Sequence, residues 1–220
     1  MQTWRHLPKR EFQRVNENST CTVIDLLRHG EVEGGSKYRG HQDDPLSEAG
    51  WQQLRQVTKN NQGWQQIVTS PLQRCASFAN ELAISINLPL VQDDAFKEIY
   101  FGSWEGKSAD ELMNTEPDKI KQYWANPIHY TPPQAESFSD FEKKIMTAWK
   151  NLFSLYEGKH VLLLTHAGVI RIILCHTLGM PLNQLFRLDI ALASMSRIEI
   201  NKIENEIWSR LIFHGNTCSL

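Results

Sequence analysis

Thr22-Val23-Ile24-Asp25-Leu26-Leu27, running into Arg28-His29-Gly30, is a short, β-branched and mostly apolar stretch that stops abruptly at charge. A strand covered on both faces of a parallel sheet has this composition, because neither face meets water. The same pattern returns at Val161-Leu162-Leu163-Leu164, followed by Thr165-His166-Ala167-Gly168, and in shorter form at Ile67-Val68-Thr69. Helical stretches lie between them. Ser47 with Glu48 opens a helix through about Lys59, and Ser70 as N-cap with Pro71 at the first helical position opens another from Leu72 to about Ile86. Phe138, Phe141, Ile145, Trp149, Leu152 and Tyr156 recur every three to four residues and mark a long amphipathic helix. A further helix follows Gly168 to about Leu178, and strands are expected at Leu88 to Gln92, Ser194 to Ile200 and Ile207 to Phe213. Strand and helix alternating in this way predict an α/β fold, a three-layer α/β/α sandwich on a mainly parallel central sheet.

The chain has 220 residues, enough for one α/β domain with decorations at roughly 150 residues per domain. Residues 1–20 read as a polar, aperiodic N-terminal extension with room for one short helix, and residues 21–220 as a single domain. Within it, about 104–137 is aromatic, charged and broken by Pro117, Pro127, Pro132 and Pro133, which predicts a helical insertion over the C-terminal edge of the strands. A formal net charge of −2 removes any global electrostatic attraction to nucleic acid or to an anionic membrane. The apolar runs, including Val169 to Cys175 interrupted by Arg171, are too short to span a bilayer, which takes about 18 residues. Without an apolar signal segment near Met1 the expected location is cytoplasmic. Cys21, Cys75, Cys175 and Cys218 form no paired motif and are expected to be free, buried thiols.

Three strand-to-helix junctions carry cationic or imidazole groups: Arg28-His29, Arg74 and His166. Right-handed crossovers put the C-terminal ends of parallel strands on one edge, where ligands bind, so these junctions can meet. Arg74 also falls in the first turn of its helix, where free N–H groups and the helix dipole already favour an anion. Two guanidinium groups and two imidazoles there suit a phosphoryl dianion. One Arg or His at a strand end is ordinarily structural; its repetition at three junctions is what points to a site. The Cys-x5-Arg signature of cysteine phosphatases, the Walker loop and the His-Glu-x-x-His metal motif are all missing, and the eight histidines lack metal-ligand spacing. Histidine is then the remaining candidate for a nucleophile on phosphorus.

Leu27-Arg28-His29-Gly30-Glu31 resembles the Arg-His-Gly signature of the histidine phosphatase superfamily, in its phosphoglycerate-mutase-like branch. The resemblance runs in order through Gly40 and Asp44-Pro45-Leu46-Ser47, Thr69 to Cys75, Glu98 with Phe101-Gly102-Ser103-Trp104-Glu105-Gly106, Ala135-Glu136-Ser137-Phe138, and Thr165-His166-Ala167-Gly168, over about residues 22–213. It implies that His29 is the phosphorylated nucleophile, that Arg28, Gly40, Arg74 and His166 bind the transferring group, and that Glu98 is the general acid. Catalytic roles thus fall to His29, Glu98 and His166, with no metal and no cofactor. Val32 stands where many members carry a hydroxyl residue, Ala135 where glycine is expected, and Lys144 where arginine is common.

The implied activity is hydrolysis of a small-molecule phosphomonoester. A phosphoglycerate-mutase-type phosphotransferase and a non-catalytic phosphate-binding module are the alternatives. Mutases resemble one another in carrying His-Gly-Asn in the last block, where this chain has His166-Ala167-Gly168. That block and Ala135 to Phe138 are similar to those of bacterial α-ribazole-5′-phosphate phosphatases of cobalamin biosynthesis. Trp104, Tyr123, Trp124 and Tyr130 either stack on an aromatic part of the substrate or pack the insertion. No nucleic-acid or membrane partner is expected, and a homodimer is left open.

Overall fold

A computed structural model describes residues 20–60, 63–203 and 206–215; the expected N-terminal extension, apart from Thr20, and Cys218 lie outside the described residues. Strands β1 (Thr20–Arg28), β2 (Gln66–Thr69), β3 (Leu90–Gln92), β4 (His160–Thr165), β5 (Met195–Ile203) and β6 (Glu206–Gly215) form one sheet in the order β3-β2-β4-β1-β5-β6. β3, β2, β4 and β1 are parallel, with Leu163 of β4 opposite Leu26 on one side and Val68 on the other. β5 and β6 extend the β1 edge as an antiparallel pair. The helices are α1 (Glu48–Thr58), α2 (Gln73–Ile86), α3 (Ala109–Thr115), α4 (Pro117–Ala125), α5 (Phe138–Leu155) and α6 (Ala167–Leu178).

Successive side chains of a strand point to opposite faces, and β4 shows what that does. Leu162 and Leu164 join Leu27 and Ile67 against Leu54 of α1 and Phe78 of α2. Val161 and Leu163 join Ile24, Leu26 and Val68 against Ile145 and Trp149 of α5 and Ile170 and Leu174 of α6. Helices therefore cover both faces, giving the expected sandwich, and the continuous apolar runs follow from it. The one carboxylate within the β1 run, Asp25, is fully buried and satisfied by Arg197 Nε at 2.7 Å and Nη2 at 2.9 Å, Trp64 Nε1 at 2.7 Å and His160 Nε2 at 2.9 Å.

The prolines of the expected insertion do break it into short helices. Ser108 and Glu111 form a capping box on α3, and Pro117 stands at the start of α4. Leu112, Ile120 and Tyr123 from this segment pack with Phe101, Phe138 and Phe141 into the core on the α5/α6 side.

Two expectations are corrected. Ser70 is not the N-cap of α2: that position belongs to Leu72, which makes no side-chain cap, and the Gln73 N–H is instead capped by Asp43 Oδ1 at 2.7 Å from a distant loop. Ser70 Oγ is drawn to His166 Nε2 at 2.7 Å. Cys75 and Cys175 are free and buried as expected, but Cys21, on the outlying end of β1, is exposed. No helix among the described residues is long and apolar enough to cross a membrane.

Candidate active site

The strand order fixes which junctions are neighbours. β2, β4 and β1 lie side by side, and the ladder continues past their ends through Ser70 N to Leu164 O and His29 N to Thr165 O, both 3.0 Å. The segments carrying His29, Arg74 and His166 are thereby set against one another at one sheet edge. Arg28, His29, Lys37, Arg39, Gly40, Arg74 and Glu98 line a single cavity there. His166 lies behind that surface, fully buried, with its ring centroid 5.4 Å from that of His29.

The tautomer of His29 follows from its partner. Its Nδ1 is 2.8 Å from the carbonyl of Gly30, and a carbonyl only accepts, so Nδ1 carries the proton and Nε2 bears the lone pair. The Gly30 backbone is held by close approach to Gly50 of α1, where a Cβ on either glycine would collide with the other segment. Burial, then the charges of Arg28 and Arg74, hold the His29 pKa well below the usual histidine value. The imidazole is neutral at pH 7 and available as a nucleophile.

Arg74 is 1% exposed, and all three of its nitrogens are placed: Nη2 donates to Gly40 O at 2.7 Å, Nη1 to Gln42 O at 2.8 Å, and Nε to His166 Nδ1 at 3.3 Å. Since Nδ1 of His166 accepts, its Nε2 carries the proton and donates to Ser70 Oγ. Burial, then Arg74 and His29, keep His166 well below the usual pKa. Arg28 donates Nη1 to Ile190 O at 2.5 Å, while its buried Nε has no partner. Neither Arg28 nor Arg74 forms an ion pair among the described residues.

Glu98 sits on the N-terminus of α6. Its Oε2 accepts from Gly168 N at 3.0 Å and its Oε1 from Ile99 N at 3.1 Å. The carboxylate can approach this closely only because position 168 is glycine: a Cβ there would strike Oε1. Glu98 also borders a second, aromatic cavity lined by Tyr38, Phe101, Tyr123, Phe138, Phe141 and Phe186. It therefore stands where the two cavities adjoin. The other carboxylates nearby are engaged elsewhere: Asp44 pairs with Arg39 at 2.8 Å, Glu31 accepts from Ser47 Oγ at 2.9 Å, and Glu105 Oε1 accepts from His41 N at 2.6 Å and Phe101 N at 3.2 Å.

The aromatic residues of the insertion differ in whether they reach a cavity. Trp104 is fully buried and stacks on Tyr130, ring centroids 6.2 Å apart, so both serve packing. Tyr123 and Trp124 line the aromatic cavity, with Trp124 Nε1 bonded to Tyr38 Oη at 2.8 Å. Glu136 and Lys144 pair with each other at 2.8 Å and border neither cavity. Sequence reasoning missed three contributors. Ser70 was hidden by its resemblance to an N-cap, and Glu105 was carried only as part of the Phe101 to Gly106 block, without a role of its own. Arg171, which lines both cavities, had one: a lone charge inside an otherwise apolar helix.

A sequence profile described as the histidine phosphatase superfamily (branch 1) matches residues 24–210. The bifunctional protein Rv2228c of Mycobacterium tuberculosis is 33% identical over 185 residues, covering 82% of this chain and 50% of its own. The chain thus spans about half the length of that curated relative. Among solved structures, YhfR of Bacillus stearothermophilus superposes with a TM-score of 0.80 at 27% identity, covering 89% of this chain and 98% of that one. The α-ribazole phosphatase of Shigella flexneri superposes with a TM-score of 0.75 at 22% identity, covering 89% and 96%, a likeness of fold alone.

Proposed function

The chain belongs to the histidine phosphatase superfamily (branch 1), and on that premise we propose that it hydrolyses small-molecule phosphomonoesters through a phosphohistidine. The observation that carries this reading is the state of His29: Nδ1 is committed to the Gly30 carbonyl, which leaves Nε2 with its lone pair on a ring that lines the same cavity as Arg28 and Arg74.

In the first step the His29 Nε2 lone pair forms the N–P bond as the P–O bond to the leaving group breaks, and Glu98, protonated, gives its proton to the departing oxygen. Arg28 and Arg74 bear the charge that grows on the equatorial oxygens. His166 fixes Arg74 through Nδ1 and packs against the His29 ring. In the second step Glu98, now a carboxylate, takes a proton from water as its oxygen attacks phosphorus, the N–P bond breaks, and inorganic phosphate leaves. The two guanidinium groups supply the positive charge that a metal ion supplies in other phosphatases, which supports a metal-independent reaction.

The aromatic cavity beside Glu98 favours a leaving group with an apolar or aromatic body. α-Ribazole 5′-phosphate, which carries an aromatic base, is the first such substrate to try, and a role in cobalamin biosynthesis follows if it is the preferred one. We place the reaction in the cytoplasm and assign residues 21–220 to a single catalytic domain.

Purified protein is expected to release phosphate from p-nitrophenyl phosphate, and a panel of phosphomonoesters that includes α-ribazole 5′-phosphate and 3-phosphoglycerate ranks the substrates. Binding without turnover across the panel would establish the non-catalytic module instead. Transfer between carbons of a phosphoglycerate would establish the mutase.

A further inference from the structure

α6 runs through the core on the α5/α6 side, and Val169, Ile170, Ile172, Ile173, Leu174 and Cys175 are all fully buried. Arg171 breaks this series. Its Nε donates to Leu188 O at 3.0 Å, and its guanidinium lies over the Phe186 ring, 5.5 Å from the centroid. Among the described residues it forms no ion pair, and its charge is close enough to Arg28 to disfavour the charge there. A half-buried guanidinium that pairs with no carboxylate among the described residues, next to another cation, has charge to offer a ligand that brings an anion.

The place of Arg171 says which ligand. It borders both the phosphate cavity and the aromatic one, as Glu98 does. Arg28 and Arg74 already offer two cations to a phosphoryl dianion, while Arg171 projects from the helix whose N-terminus Glu98 occupies, on the leaving-group side. The stack on Phe186 and the bond to Leu188 fix the guanidinium plane, leaving its terminal nitrogens as planar donors of the kind that match a carboxylate.

We propose that Arg171 selects substrates whose leaving group carries, besides an aromatic body, a second anionic group such as a carboxylate. The aromatic body fills the cavity lined by Tyr123, Phe138 and Phe186, and the anion meets Arg171 at its rim. The inference rests on the phosphatase reading and goes beyond it by giving the leaving group a charge. A leaving group with the aromatic body alone, α-ribazole among them, fills the walls without the counter-charge.

Benzyl phosphate and 4-carboxybenzyl phosphate test it, because their leaving alcohols differ in charge but hardly in basicity. With the wild-type protein, kcat/KM is expected to favour the carboxylated ester by about tenfold or more, as befits a hydrogen-bonded charge pair. In Arg171→Met the ratio of the two kcat/KM values is expected to collapse to near one, and in Arg171→Glu to favour 4-(aminomethyl)benzyl phosphate; Arg171→Lys should keep part of the original preference. A wild-type preference for the uncharged ester overturns the proposal, even if no variant folds, and so does an unchanged ratio in a folded Arg171→Met protein. Failure of the wild type to hydrolyse any of the esters and p-nitrophenyl phosphate alike overturns the phosphatase reading itself, and the proposal with it.

Discussion

Gly168→Ala perturbs the proposed acid without touching its chemistry. Position 168 is helical, so alanine fits the backbone, and the swap is expected to leave folding intact or gain up to about 1 kcal/mol of helix propensity. The added methyl, however, points at Glu98 Oε1, and reaching an ordinary contact distance forces the carboxyl group back by about 1 Å, a displacement that can cost about 10²-fold in rate. The Gly168 N–H bond to Oε2, 3.0 Å long, is lost or stretched in the process. Near 10²-fold corresponds to about 2.7 kcal/mol at the barrier. The loss should appear only where proton donation matters. Single-turnover formation of acid-labile phosphoenzyme, followed by rapid quench, is expected to slow about 10²-fold with an alkyl phosphate and much less with p-nitrophenyl phosphate, whose leaving phenolate needs little protonation. Equal slowing for both substrates, with the fold intact by circular dichroism, would refute the placement of Glu98 as the acid; so would unchanged rates for both.

Glu98→Gln removes the proton itself and is expected to cost about 10²–10⁴-fold in phosphoenzyme formation from an alkyl phosphate, again sparing p-nitrophenyl phosphate, measured in the same quench experiment. Asp25→Ala breaks a buried ion pair and is expected to destabilise the protein by about 3 kcal/mol in denaturant melts. Burial alone would raise the Asp25 pKa, but bonds from Arg197, His160 and Trp64 bring it below the usual value. The stability it contributes is present above the unfolded carboxylate pKa of about 3.9 and is lost as pH falls through the lower folded value, so the variant should lose that part of the acid sensitivity of the wild type. Incubation with EDTA is expected to leave phosphatase activity unchanged, assayed against p-nitrophenyl phosphate; loss restored by Mg²⁺ or Zn²⁺ would contradict metal independence.

The sheet was legible because burial on both faces writes itself into composition: Leu26-Leu27 and Leu162-Leu163-Leu164 have no polar face to confuse the reading. The amphipathic period of α5 was equally plain. What misled was local capping chemistry. Ser70-Pro71 has the form of a helix start, yet the hydroxyl is used across the sheet by His166, and the cap comes from Asp43, thirty residues earlier in the chain. No local pattern reveals such a partner. The site divides the same way. His29, Arg28, Arg74 and His166 announce themselves at strand ends, but the burial of His166 behind the cavity depends on packing, and Glu105 acts through backbone N–H groups of two loops that only the fold brings together. Arg171 could have been singled out by its charge within an apolar helix, although only the two adjoining cavities give that charge a purpose.

The most direct measurement is the identity of the phosphorylated residue. Wild-type protein mixed with a ³²P-labelled phosphomonoester and quenched in alkali, under which phosphohistidine survives, is expected to carry label on the peptide containing His29, released by mild acid. His29→Ala, folded, is expected to carry none and to turn over no substrate. Label on another residue, or hydrolysis by His29→Ala at the wild-type rate, would contradict the central role assigned to His29.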